Sequence, residues 1–185
     1  SAEVKIIFDP TLGDEITARG TGDLRIAINS LGDFRMLGDY VIESGDYLFT
    51  MKDILFNRKF KVVEGSRLQW TGDPVNANVD INTFYRTKAR LGDLTGDSVS
   101  TYRYSVDCEL AFDGRLKEPN IKYGINLPYA EQEEKDKLDA IISSEEELSK
   151  QFLSLLVLSR FLPAQNNANN SDSDIGGSTI AGVNA

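Results

Sequence analysis

The chain has 185 residues, 41% of them hydrophobic and 26% charged, with 15 Gly and 5 Pro; this fits a folded domain with a modest core and excludes a disordered or collagen-like segment. Acidic residues outnumber basic ones 29 to 20, and the net charge of -9 repels phosphate backbones, so no nucleic acid is expected as a partner. With no His and Cys108 as the only cysteine, Ser-His-Asp and Cys-His nucleophile systems, an intramolecular disulfide and His- or Cys-built metal centres all lose their central residues.

From about residue 4 to residue 127, apolar side chains recur at every second position, the period of strands that turn one face away from water. Val4/Ile6/Phe8, Leu24/Ile26/Ile28, Tyr47/Phe49/Met51, Tyr104/Val106/Cys108/Leu110/Phe112 and Ile121/Tyr123/Ile125/Leu127 carry it most plainly. Between them, Arg103, Ser105, Asp107, Glu109, Lys122 and Asn126 form the wet face. Gly-Asp pairs at 13/14, 22/23, 32/33, 38/39, 45/46, 72/73, 92/93 and 96/97 read as turns between short strands, which predicts a meander of about ten antiparallel strands. Gly20 and Gly22 read as strand positions, where Gly marks a bulge or bend.

After Tyr129 the pattern changes to helical spacing. Residues 131–150 hold eight acidic and three basic side chains, and Leu138/Ile141/Ile142 are followed by Leu148/Phe152/Leu155/Leu156. Ser144 with Glu147 three residues on is a capping-box signature. The apolar run from Phe152 to Leu162, which Pro163 is expected to end, is too short to span a bilayer, and the Asn-, Ser- and Gly-rich stretch from Gln165 to Ala185 reads as a linker. The expected division is a sheet domain over 1–130, a helical segment over 131–163 and a flexible tail over 164–185. The opening Ser1-Ala2-Glu3-Val4-Lys5 lacks the order of a signal peptide, so any export or anchoring element is expected outside these residues.

The run Ser44-Gly45-Asp46-Tyr47-Leu48-Phe49, then Lys59 to Pro74 and Ala77-Asn78-Val79-Asp80-Ile81 up to Tyr85, resembles the C-terminal domain of the TamB family, the inner-membrane-anchored subunit of the translocation and assembly module. Asn126-Leu127-Pro128 and the leucine-rich Gln151 to Phe161 extend the resemblance over roughly 4–163. It implies an envelope-spanning protein, anchored in the inner membrane through a segment outside this fragment. Its periplasmic body would reach an Omp85-class outer-membrane barrel (TamA-like or BamA-like). The implied functions are phospholipid transport between the membranes and support of outer-membrane protein assembly and secretion. The implied fold is all-β with a C-terminal helix, an elongated curled antiparallel sheet (β-taco) with an apolar concave groove. The family continues with further strand-like segments toward the barrel, and these are expected beyond Ala185.

On this reading the groove that receives phospholipid acyl chains is lined by Leu24, Ile26, Ile28, Phe34, Met36, Tyr47, Phe49, Met51, Phe60, Val62, Leu68, Trp70, Val79, Ile81, Tyr104, Val106, Cys108, Leu110, Phe112, Ile121, Tyr123, Ile125 and Leu127. Leu148, Phe152, Leu155 and Leu156 close its end. Acyl tails offer no hydrogen bonds, so such a lining must be apolar throughout while the backbone stays paired in the sheet. The same alternation also fits a closed β-sandwich acting as an interaction module, or a chaperone for barrel proteins that works by strand addition without lipid transport.

No catalytic residue, metal or cofactor is expected. Asp73 in Trp70-Thr71-Gly72-Asp73-Pro74 reads as a turn, and Asp107/Glu109, like Asp80 with Asp73, read as solvated carboxylates and not as a glycosidase pair. Gly20-Thr21-Gly22 lacks the rest of a dinucleotide fingerprint, and Asp172-Ser173-Asp174 lacks the Glu and helices of a calcium loop. The acidic 131–150 stretch reads as a solvated face.

Overall fold

A computed structural model describes residues 2–9, 14–51 and 56–165. The chain forms β1 (Ala2–Asp9), β2 (Asp14–Ile28), β3 (Phe34–Met51), β4 (Phe56–Val62), β5 (Arg67–Gly72), β6 (Asn78–Arg90), α1 (Leu91–Thr95), β7 (Arg103–Arg115), β8 (Glu118–Asn126), α2 (Gln132–Ile141) and α3 (Glu145–Leu158). The strands make one eight-stranded sheet in the order β1-β2-β3-β4-β6-β7-β8, with β5 beside β3 and β6. The described ladders are antiparallel. This is the expected architecture of an antiparallel sheet followed by helices.

Eight strands replace the ten expected because β2 and β3, of 15 and 18 residues, run straight through three Gly-Asp pairs that read as turns. At Gly38 the backbone has φ +131, and a Cβ there would lie 2.0 Å from the Asp23 carbonyl oxygen. The pair at 38/39 is therefore a close approach of two strands, where only hydrogen fits, and not a chain reversal. The reversal between β2 and β3 comes at Gly32, with φ +86, where the Asn29 side-chain oxygen accepts from the backbone N–H groups of Leu31 and Asp33, both at 2.9 Å.

A bulge sets the phase of β3. Arg19 pairs with Ser44 but Gly20 pairs with Ile42, so β3 holds one extra residue there. Directly opposed residues share a face, so Tyr40 and Ile42 lie on the same side as Tyr47 and Phe49 although their parity differs. Gly20 sits inside β2 at this bulge, as its sequence context suggests.

The chain divides into two compact units, 1–87 with 105–128, and 88–104 with 129–185. The stretch 88–104, flanked by strands and containing α1, thus groups with the helices. The first unit is a curled sheet that does not close into a barrel, since β1 and β8 end the path without pairing among the described residues.

In the second unit, Ser144 Oγ caps α3 by accepting from the Glu147 N–H at 3.1 Å. The helix stops at Leu158, earlier than the apolar run suggested, because Ser159 turns into the left-handed region at φ 52. Gln151 then holds the returning chain: its Nε2 donates to the Leu162 carbonyl and its Oε1 accepts from the Leu162 N–H, each at 2.9 Å. Ser154 Oγ donates to the Arg160 carbonyl at 2.7 Å, and Phe161 and Ala164 are buried. The apolar run thus serves a helix and a hook folded back on it. Residues 166–185, most of the expected tail, lie outside the described residues.

Candidate functional site

With Ile7, Leu37 and Phe84 on the opposite face, the alternating apolar positions of the first unit fall mainly on one sheet face. Opposed pairs carry it across the strands: Ile6 with Ile16, Ile16 with Tyr47, Tyr47 with Phe60, Val62 with Thr83, Leu68 with Val79, and Leu110 with Tyr123. Thr83 is the polar member, and its hydroxyl donates to the Leu110 carbonyl at 2.9 Å, so its burial is satisfied.

The middle of the face is packed shut by aromatic rings. Phe112 stacks on Phe8 with centroids 5.0 Å apart and meets Tyr47 edge-on at 5.1 Å. Tyr47 also lies 6.1 Å from Phe60, and Phe60 lies 5.8 Å from both Phe49 and Tyr85. Phe8 is on β1 and Phe112 on β7, five ladder steps apart, which a flat sheet would separate by about 24 Å. The sheet therefore curls until its far strands touch across the concave side. Burial, reinforced by the Asp14 carboxylate, lifts the Tyr47 hydroxyl well above the usual phenol range; that hydroxyl donates to Asp14 Oδ2 at 3.3 Å. Cys108, on β7 and on the same sheet face as Phe112, is fully buried, and burial followed by the neighbouring Asp107 and Glu109 charges pushes its thiol up to about 12.

The structure places the expected lining residues at three depths. Tyr47, Phe60, Val62, Leu68, Val79, Ile81, Val106, Cys108, Leu110, Phe112 and Leu127 are buried. Leu24, Met36, Phe49, Met51, Trp70 and Ile125 are half-buried, while Ile26, Ile28, Phe34, Ile121 and Tyr123 are exposed. Tyr104, half-buried, belongs to the second unit and packs edge-on against Tyr102 at 4.6 Å. On α3, Phe152, Leu155 and Leu156 are buried and Leu148 is half-buried.

Among the described residues, one end of the face is open. Ile26 and Ile28 are 61% and 68% exposed, and with Leu24, Phe34 and Met36 they form the apolar side of the β2–β3 hairpin. Trp70, opposite Gly38, continues this side onto β5, with its Nε1 donating to the Pro74 carbonyl at 3.0 Å.

Sequence reading missed Ile16, Ala18, Tyr40, Ile42 and Tyr85 as members of this face, all buried but Tyr85, which is half-buried. The β3 bulge hid Tyr40 and Ile42 by breaking the alternation. It also missed Arg58, whose guanidinium lies 3.9 Å over the Phe56 ring on the same face. On the opposite face of the sheet, Arg86 grips buried Asp107 with two hydrogen bonds of 2.7 and 2.8 Å, and Glu109 accepts from Asn126 at 3.3 Å. Asp73 accepts from the Val75 N–H at 3.0 Å, as a turn residue does.

No helix among the described residues is long and apolar enough to cross a membrane. Comparison with curated proteins found no match. A family model, the TamB C-terminal domain, matches residues 1–185.

Proposed function

The chain belongs to the TamB C-terminal domain family, and from that membership, which carries a role in the cell envelope and in outer-membrane assembly, we propose that its curled sheet is a nonenzymatic carrier surface for phospholipid acyl chains. The observation that carries the proposal is the continuous apolar face, closed by aromatic rings at its middle and exposed along the β2–β3 hairpin. A tail laid along Leu24, Ile26, Ile28, Phe34 and Met36 leaves water at about 25 cal/mol per Å2, and the sheet's own pairing keeps backbone groups satisfied beside it. No bond is made or broken. In the intact protein this surface is one section of a periplasmic conduit between inner and outer membranes, working beside an Omp85-class barrel and drawing on an inner-membrane anchor outside these residues.

Trp70, the single tryptophan, lies on the same side of the sheet as the exposed hairpin residues, which makes it a reporter. Phospholipid brominated along its acyl chains is expected to quench Trp70 fluorescence saturably, while headgroup-brominated lipid quenches little. Lipid extraction of purified protein followed by mass spectrometry is expected to recover phospholipid. Absence of both signals overturns the reading. A second reading, an interaction module with a filled core, draws on the Phe8–Phe112 contact and predicts that same absence.

A further inference from the structure

We propose that the cleft where the β2–β3, β5–β6 and β7–β8 hairpin ends meet holds the headgroup of a zwitterionic phospholipid, its phosphate on Arg35 and Arg115 and its ammonium group on Asp33. This deepens the acyl-chain reading and rests on it. The cleft, of about 510 Å3, is lined by residues of all three hairpins. They are tied together beside it: the Leu116 N–H donates to the Ala77 carbonyl at 2.8 Å, the Lys117 N–H donates to Asn76 Oδ1 at 3.3 Å, and Met36 of β3 pairs with Gly72 of β5. Phe34 lines the cleft and also belongs to the apolar side of the β2–β3 hairpin. Arg35, one residue on, and Arg115 fall on the polar face, across the backbone from Trp70. The cleft thus straddles the rim of the sheet, and a head held on the polar side leads its tails over Phe34 onto the apolar one.

The charges in the cleft select the head. Asp33, Arg35, Asp73 and Arg115 line it. Asp73 is engaged, with Oδ1 accepting from the Val75 N–H at 3.0 Å and Oδ2 facing Lys117 Nζ at 3.6 Å. Arg35, by contrast, has no hydrogen-bond or ion-pair partner among the described residues, and Arg115 holds the Asn78 amide oxygen at 3.2 Å and no carboxylate, although two carboxylates line the same cleft. A Cβ at Gly72 would lie 3.3 Å from Arg35 Nη2, so the guanidinium lies against β5 in space that a side chain there would contest. Two guanidinium forks match the oxygens of a phosphodiester. Asp33 uses Oδ2 on Asn29 Nδ2 at 2.7 Å and keeps Oδ1 for a cation. A head that carries both phosphate and ammonium satisfies the arginines and Asp33 together. A head of net negative charge leaves Asp33 facing an anion, in a chain whose net charge is already -9.

The test is titration of Trp70 quenching with acyl-brominated phosphatidylethanolamine, phosphatidylglycerol and diacylglycerol, which share their tails and differ in the head. The parent is expected to bind phosphatidylethanolamine roughly threefold or more tightly than either of the others. Arg35→Ala and Arg115→Ala are each expected to weaken phosphatidylethanolamine roughly three- to tenfold and to leave diacylglycerol unchanged. Asp33→Asn is expected to narrow the gap between the two phospholipids. Glycerophosphoethanolamine, the same head without tails, is expected not to displace the lipid at equal concentration; displacement would assign the cleft to a soluble phosphoester and overturn the proposal. Circular dichroism melting of each variant checks folding, and Asp33, Arg35 and Arg115 are exposed. Equal affinity of the parent for all three lipids also overturns it, as do arginine variants that weaken diacylglycerol as much as phosphatidylethanolamine or weaken neither. Those outcomes leave the acyl-chain reading standing, because diacylglycerol still quenches the parent. Quenching by none of the three in the parent is the failure of that reading, and this proposal falls with it.

Discussion

The aromatic middle of the sheet and its hairpin end carry the same alternating pattern and meet opposite fates. Tyr47, Phe60 and Phe112 are at most 3% exposed, while Ile26, Ile28 and Phe34, on the same face, are 44% to 68% exposed. The difference lies in the partners. Curling brings β1 and β7 together over the middle, as the 5.0 Å contact of Phe8 with Phe112 shows. Among the described residues the β2–β3 hairpin extends past Ala2 of β1, away from that contact. Periodicity decides which face is apolar; tertiary curvature decides whether that face is core or surface.

The largest effect expected to test this comparison is at the closed end. Phe112→Ala removes the ring that bridges Phe8 and Tyr47, and it is expected to cost about 3–5 kcal/mol in urea unfolding. A loss below about 1 kcal/mol would mean that the concave side is open at the cluster as well. At the open end the backbone is the sensitive part. Gly38→Ala meets the Asp23 carbonyl and a φ of +131, and it is expected to cost about 1–3 kcal/mol although nothing apolar is lost.

These contrasts also mark what was legible in the sequence. Sheet class, a helical segment after the sheet, the Ser144 cap and the one-sided face all followed from local signals: alternation, helical spacing and an N-cap pair; whether that segment is two helices or one broken helix did not, and neither did α1. The strand count did not, because a Gly-Asp pair reads alike whether Gly reverses the chain, as at Gly32, or admits a neighbouring backbone, as at Gly38. Tyr40 and Ile42 were lost to the bulge, which changes the parity of β3 without any marker in composition. The contact of Phe8 with Phe112 joins residues far apart in sequence, and the Gln151 hook on Leu162 replaces helix with a side-chain mimic of backbone pairing. Neither has a local signature.

A smaller effect separates the two ends by pH. The Cys108 thiol, ordinarily at 9.0, is raised to about 12 in the fold. Below 9 both states hold the proton and its stabilising contribution is intact. Between 9 and 12 the unfolded chain releases the proton and the folded chain does not, so stability falls as pH rises, by about 1.4 kcal/mol per unit for this one group. Tyr47, also raised, adds to the slope in the same direction above its ordinary 10.0. Urea midpoints measured from pH 8 to 11 should decline, and Cys108→Ala should flatten the early part of that decline. An unchanged slope in Cys108→Ala would show that the thiol is hydrated and this part of β7 accessible.

The smallest expected change in stability is the most informative about function. Ile26→Asp places a carboxylate on the apolar face at a site 61% exposed, where it keeps its water, so the unfolding free energy should shift by less than about 0.5 kcal/mol. The same carboxylate lies in the path of an acyl chain laid along the hairpin and must be dehydrated for the chain to bind. Quenching of Trp70 by acyl-brominated phospholipid should therefore weaken several-fold in Ile26→Asp and stay at the parent level in Thr21→Lys, a change on the opposite face of the same strand. If Ile26→Asp unfolds the protein, the hairpin end is core like the aromatic middle, and the comparison between the two ends fails. If it leaves both stability and quenching unchanged, the ends differ as described, but the exposed apolar strip is not where lipid sits.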